Sequence, residues 1–462
     1  MTVDSESGRV LPANEAPLPP GPRGNLLWGM MGEVRRDRLG FLMRMRRDFG
    51  DVSAYRIANL KFVQINHPDG VQRVLQTNNR NYIRGNSFNL LRRYVGDGLL
   101  TSDGDYWLRQ RRLMQPAFHR RRIAAFGEMM VSEATAMLER WAAAADREQP
   151  VEILPEMSRL TLTIVSKALF GQAIDDDSRS LSQAVTVLLA DQIYRFDHPF
   201  APPMFIPTPT NRRVQQAQAE LDRIVYGLIE RAQAGQIDGG QWLAMLVDAR
   251  DEETGETMSR KELRDETLTM FVAGHETTAG VLTWALLMLD RHPDVRNRLR
   301  TELDEVLAGR LPTMADVPQL TYTRQIIDET LRLYPSAWIT NRETLEDDVI
   351  DGFRVPADHL VAISPYVVHR DARFWPEPER FDPDRFGPDG TRPTHHYAYF
   401  PFGGGPHLCI GNNFALAEAQ LVLATIAQRY RLASVSDQPV EPEALTTLRA
   451  KGSVPMRLVP VS

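Results

Sequence analysis

The chain reads as a mostly α protein with small β-sheets, on three observations: long helical periodicities, short punctuated β-like pieces, and no repeat or flexible linker separating folding units. It has 462 residues, 43% of them hydrophobic, enough for a large core. The expected organisation is an irregular Pro-rich lead over 1–25, followed by a single domain over 26–462. β-like alternation occurs at Val52 to Ile65 and at Asp348 to Ile363, where Gly352 and Pro356 interrupt it. Asp197 to Thr210 carries five prolines and is expected to be a loop between two helices.

The strongest helix signal starts at Ser259, with Glu262 three residues on to complete a capping box and Met258 set against Leu263 as a staple. It runs to Arg291, before His292-Pro293, giving about 33 residues and roughly 50 Å. Small and polar residues break its apolar pattern at Ala273-Gly274-His275-Glu276-Thr277-Thr278-Ala279-Gly280. A mid-helix Gly costs about 1 kcal/mol against Ala, and a Thr hydroxyl can bend a helix, so a groove beside a ligand accounts for both. Further helices are expected from Pro293 towards Gly309, from about Thr323 to Tyr334, and from near Gly411 to near Tyr430.

Net charge is -6, which gives no global sign of a nucleic-acid or anionic-membrane partner. The N-terminus lacks a basic start followed by an apolar stretch, and the apolar run Val281 to Leu289 is far short of the roughly 20 residues that span a bilayer. A soluble, cytoplasmic protein with no membrane span is expected. One cysteine excludes an intramolecular disulfide and any multi-cysteine metal cluster. Cys409 stands just before the last expected helix, and a helix N-terminus lowers a thiol pKa. An isolated Cys is more often a small buried hydrophobe. Here its neighbours point elsewhere.

Phe402-Gly403-Gly404-Gly405-Pro406-His407-Leu408-Cys409-Ile410-Gly411 resembles the haem-binding loop of cytochromes P450. Glycines let the backbone pass close under a flat macrocycle, and amides at a helix start can bond the sulfur. The resemblance implies the P450 fold, a triangular prism of helices with a long central helix over haem b, and Cys409 as axial ligand. Thiolate ligation favours cleavage of the dioxygen bond. Three further segments follow in the family's order, so the resemblance extends from about Gly50 to the C-terminus, in the style of the longer, eukaryote-like subset of bacterial soluble members.

Each segment carries implied roles. Ala273 to Thr278 is similar to the family's oxygen-binding stretch, with Glu276 and Thr277 serving proton delivery; a surface acid and a helix-bending core Thr are the plainer readings. Glu329, Arg332 and Arg380 resemble the family's buried triad, which must be complete because a stranded charge costs about 3–5 kcal/mol. Trp107, Arg111, Arg342 and His407 are implied propionate partners, with Phe402 and Gly411 completing the cofactor loop. Met270, Ala273, Gly274, Trp338, Ile339 and Leu448 map to the substrate pocket and are mostly apolar.

The resemblance implies a monooxygenase inserting one atom of O2 into a C-H bond, by hydroxylation or epoxidation, of a hydrophobic small molecule such as a fatty acid, terpenoid or polyketide. A peroxygenase or isomerase on the same fold is the alternative within that class, and a haem sensor or electron carrier the alternative outside it. The chain leaves no room for a fused reductase, so electrons are expected from an external ferredoxin or flavodoxin with its NAD(P)H reductase. Arg109, Arg111, Arg112, Arg120, Arg121 and Arg122 form an acid-free basic stretch suited to such a partner; a merely solvated basic face is the plainer reading.

Overall fold

The computed structural model describes residues 13–171, 175–198, 200–237 and 241–461. Contacts divide it into two compact units, each assembled from separate stretches of chain.

The first unit comprises 1–90, 337–380 and 391–409. Its centre is a five-stranded sheet ordered Val52–Ile57, Leu60–Ile65, Leu360–Ile363, Thr340–Thr344, Tyr82–Ile83. The first two strands fall within the β-like stretch expected over 52–65 and form a hairpin there, paired from Val52 with Ile65 to Ile57 with Leu60. Leu60–Ile65 runs parallel to Leu360–Ile363, and the other pairs are antiparallel. The piece expected at 348–363 resolves into a small hairpin, Asp348–Ile350 with Phe353–Val355, and the buried strand Leu360–Ile363. Val63, Ile65, Val361 and Ile363 form the apolar interior with Val71, Val74, Tyr397 and Phe400. From Ala16 the lead is irregular but attached, since the amides of Ala54 and Arg354 donate to the carbonyls of Pro20 and Pro17. Residues 1–12 lie outside the described residues.

The second unit comprises 91–336, 381–390 and 410–462 and is chiefly helical. The long helix is Arg260–Arg291, with Ser259 as N-cap and both halves of the capping box formed with Glu262. It is buried over most of its length. Tertiary packing, rather than a polar outer face, therefore holds it. Around it stand Ile153–Phe170, Pro209–Gln233, Thr321–Leu333 and Asn412–Arg429. The proline-rich segment joins Asp175–Asp197 to Pro209–Gln233 as expected. Sequence periodicity missed the strands Tyr430–Ser434 and Pro455–Pro460, of which Pro455–Pro460 is central and pairs with Tyr430–Ser434 on one side and Val151–Glu152 on the other.

Candidate active site

The cysteine loop is held open by glycines. Gly403 and Gly405 have φ of +74° and +61°, a region where a side chain is strained. A Cβ on Gly405 would lie 1.8 Å from the Leu75 carbonyl oxygen, and one on Gly404 would lie 2.3 Å from the Tyr397 ring. The Cys409 amide donates to the Phe402 carbonyl at 3.0 Å, closing the loop, and the Leu408 amide donates to Gly405 at 3.1 Å. Cys409 itself is exposed. A small hydrophobe would be sequestered, so a loop built to present this sulfur fits a metal-binding thiolate and not a packing role. His407 lies on the short turn Gly405–His407 of the same loop, and Gly411 is the N-cap of the helix Asn412–Arg429.

Also in the first unit, Arg342 is buried on the strand Thr340–Thr344, its guanidinium donating to the Thr340 hydroxyl and the Asn341 carbonyl, both at 2.8 Å. Trp338 is buried, and its carbonyl accepts from the Ser364 hydroxyl at 2.7 Å; Ile339 is half-buried.

In the second unit, Ala273 is exposed while Met270 and Thr278 on the same helix are buried. Glu276 and Thr277 are half-buried. The Thr277 hydroxyl donates to the Ala273 carbonyl at 2.7 Å. Side chains from elsewhere take two more carbonyls of this stretch: Thr161 donates to His275 at 2.8 Å and Ser336 to Thr277 at 2.8 Å. The Leu448 amide donates to the Ser336 carbonyl at 2.9 Å, so Thr277, Ser336 and Leu448 form one hydrogen-bonded cluster. A Cβ on Gly274 would meet Val165 Cγ2 at 2.8 Å, which explains the glycine as a close helix crossing. The bare surface at Ala273 suits the approach of a flat ligand. Burial holds His275 below the usual imidazole range. Sequence reasoning missed Thr161 and Ser336 because their partners lie 114 and 59 residues away.

Trp107 and Arg111 share the helix Gly104–Met114 one turn apart, Trp107 buried and Arg111 half-buried. The basic stretch is uneven. Arg109 pairs with Glu262 at 2.7 Å, and Arg112 with Asp251 at 3.0 Å and Glu253 at 2.9 Å, so these charges are compensated. Arg120, Arg121 and Arg122 are exposed.

The triad expectation is corrected in one member. Glu329 and Arg332 are fully buried and doubly bonded, Nε to Oε2 at 2.6 Å and Nη2 to Oε1 at 2.7 Å. The second arginine is Arg385, 4% exposed and 3.5 Å from Oε1. Arg380 is 61% exposed and pairs with Glu377 at 3.2 Å. The Asp382 amide donates to Glu329 at 2.8 Å, which brings the following turn, Pro383–Phe386, and its Arg385 to the carboxylate.

One buried carboxyl was not foreseen. Glu418, on Asn412–Arg429, is 1% exposed. Burial pushes it well above the usual carboxylate range, and a hydrogen bond with the Thr278 side chain pulls the other way.

Comparison with known proteins gives these features a family. The cytochrome P450 family model matches residues 19–456. Cyclooctatin synthase of Streptomyces melanosporofaciens is 39% identical, the match covering 85% of each chain. Cyclooctat-9-en-7-ol 5-monooxygenase from the same organism is 35% identical over 93% of this chain and 94% of that one. The crystal structure of the cytochrome P450DA heme domain superposes with a TM-score of 0.88 at 28% identity, covering 97% and 98% of the two chains. The chain belongs to the cytochrome P450 family. It is accordingly a P450 monooxygenase whose cofactor is haem with thiolate-bound iron, acting on a hydrophobic small molecule with O2. Among the described residues no helix is long and apolar enough to cross a membrane.

Proposed function

We propose that this P450 hydroxylates a cyclic, largely hydrocarbon terpenoid, with Cys409 as the iron ligand. The observation that carries the ligand assignment is the chain's single cysteine, exposed on a loop in which Gly404 and Gly405 leave no room for a side chain. The substrate class rests on the relative named for cyclooctat-9-en-7-ol, a cyclic alkenol, and on the apolar character of Met270, Ala273, Trp338, Ile339 and Leu448. Residues 26–462 serve as one P450 domain in this reading.

Haem bound through a thiolate supplies activation of dioxygen for insertion into a C-H bond. The protein's part is positioning and proton control. Trp107, Arg111, Arg342 and His407 offer an indole N-H, two guanidinium groups and an imidazole to the carboxylates of the cofactor. Thr277, its hydroxyl held by the Ala273 carbonyl, and Glu276 beside it pass protons inward from solvent. Ser336 and Thr161 hold the backbone of that stretch in place. Electrons come from a ferredoxin or flavodoxin with its NAD(P)H reductase, in the cytoplasm, and the exposed Arg120, Arg121 and Arg122 form its docking site.

The test has two parts. The Soret band of the reduced carbon monoxide complex reads ligation, and Cys409→Ala is expected to abolish the thiolate signature. A ferric spin-state screen over cyclic terpenoids, fatty acids and macrolides, followed by NADPH-dependent turnover with a surrogate ferredoxin system, reads substrate class. A response confined to fatty acids or macrolides would overturn the terpenoid reading while leaving Cys409 untouched.

A further inference from the structure

The most exposed large apolar side chain among the described residues is Leu26, at 90%, followed in the same turn by Leu27 at 74% and Trp28 at 38%. This turn is not a loose end. Asn25 and Gly29 exchange backbone hydrogen bonds at 3.0 and 2.8 Å, and Asn25 Oδ1 accepts from the amides of Leu27 and Trp28 at 2.9 and 3.1 Å. The Arg56 guanidinium donates to the carbonyls of Asn25 at 2.8 Å, Leu26 at 2.6 Å and Leu27 at 3.0 Å, and to that of Ala58. The Ala58 amide donates to Trp28 at 3.0 Å, fastening the turn to the end of the 52–65 hairpin, where Leu60 is 38% exposed. Gly29, with φ of +57°, has no room for a side chain: a Cβ would lie 2.0 Å from the Arg56 carbonyl oxygen. The fold thus spends one arginine's donors on holding two leucines out in water, and a pre-ordered tip loses little entropy on binding.

Charge around the tip has one sign. No acid occurs between Glu15 and Glu33 or between Asp51 and Asp69, whereas Arg23 and Lys61 are exposed and Arg56 lies under the turn. Glu33 is compensated by Arg44 at 3.4 Å. The global charge of -6 conceals this local cationic, apolar face. Four apolar side chains offer far less than the roughly 800 Å² that each partner of a standard protein interface buries. A lipid surface needs no such area: apolar anchors, an interfacial Trp and cations attracted to anionic headgroups suffice.

We propose that Leu26, Leu27, Trp28 and Leu60, set among Arg23, Arg56 and Lys61, dock this protein on the surface of an anionic lipid bilayer without spanning it. The assignment stands on the first unit alone and is independent of the substrate reading.

The experiment is flotation of the full-length, haem-loaded protein with phosphatidylglycerol/phosphatidylcholine vesicles and with pure phosphatidylcholine vesicles, at low and high salt. Preferential, salt-sensitive binding to the anionic vesicles is expected. The double variant Leu26→Ser with Leu27→Ser should lower the bound fraction at least tenfold, and Arg23→Glu with Lys61→Glu should remove the lipid preference, both with unchanged urea midpoints. Failure of the parent protein to float, equal binding to neutral vesicles, or binding insensitive to the leucine substitutions overturns the proposal. So does a change of sedimentation coefficient in the leucine variant without any vesicle binding by the parent, which would make this face a self-association surface.

Discussion

Replacing Arg385, Arg380 and Glu329 in turn by alanine tests whether the buried ion cluster is the one seen in the structure. Glu329 and Arg332 have no exposed side-chain surface and share two short hydrogen bonds, with a third acceptor contact to the Asp382 amide. Glu329→Ala strands the Arg332 guanidinium in the core, at a cost of about 3–5 kcal/mol. That is a large share of the roughly 5–15 kcal/mol that holds a folded domain. Arg385→Ala leaves a neutral Glu329-Arg332 pair but removes a buried cation 3.5 Å from the carboxylate, so about 1–3 kcal/mol is expected. Arg380→Ala acts on an exposed pair with Glu377 and should stay within about 0.5 kcal/mol. Urea midpoints and haem content per chain read the series, with Glu329→Ala expected to fail in haem loading. Equal losses at Arg380 and Arg385, or Glu329→Ala protein carrying a full complement of haem, would refute the reasoning.

Thr277→Ala should keep haem and substrate binding while diverting NADPH-derived electrons to peroxide; proton delivery is worth about 10²–10⁴-fold, so product per NADPH should fall at least about tenfold. Unchanged coupling would remove Thr277 from proton transfer. Gly405→Ala places a Cβ against the Leu75 carbonyl at a positive φ, so a loss of more than about 2 kcal/mol and of haem occupancy is expected, whereas Gly452→Ala, with nothing near its Cβ, should show only the positive-φ cost. Burial raises the Glu418 carboxyl well above the usual carboxylate range in the folded protein, a shift that is lost on unfolding. The unfolded chain therefore binds fewer protons as pH rises past about 4.5, and stability falls by up to about 1.4 kcal/mol per pH unit until the folded value is reached. Glu418→Gln should lose less stability than the parent as pH rises above about 4.5; parallel urea-midpoint profiles would contradict this.

Much of this protein is local and therefore legible. The capping box at Ser259, the staple and the proline after His292 set both ends of the long helix within its own residues, and the structure places it at Arg260–Arg291. The glycine pattern before Cys409 states a backbone requirement that any fold containing it must satisfy. The β-like alternation over 52–65 is likewise a short-range matter, and the structure pairs it as a hairpin.

Other features are settled only by chain segments meeting across long separations. Thr340–Thr344 is too polar to read as a strand, and becomes one because Leu360–Ile363 and Tyr82–Ile83 offer it two ladders. The resemblance implied Arg380 as the partner of Glu329, and only the folded chain, with the Asp382 amide bonded to Glu329 and Arg385 buried beside it, assigns that place to Arg385. Glu418 resembles any helix acid in sequence; burial raises its carboxyl well above the usual carboxylate range, against the pull of Thr278. Leu26 and Leu27 resemble core residues, yet Arg56, 30 and 29 residues on, holds them out. Local chemistry sets where helices start and where backbone must be bare; desolvation and long-range hydrogen bonds, which depend on the whole fold, decide which charges pair and which apolar groups stay in water.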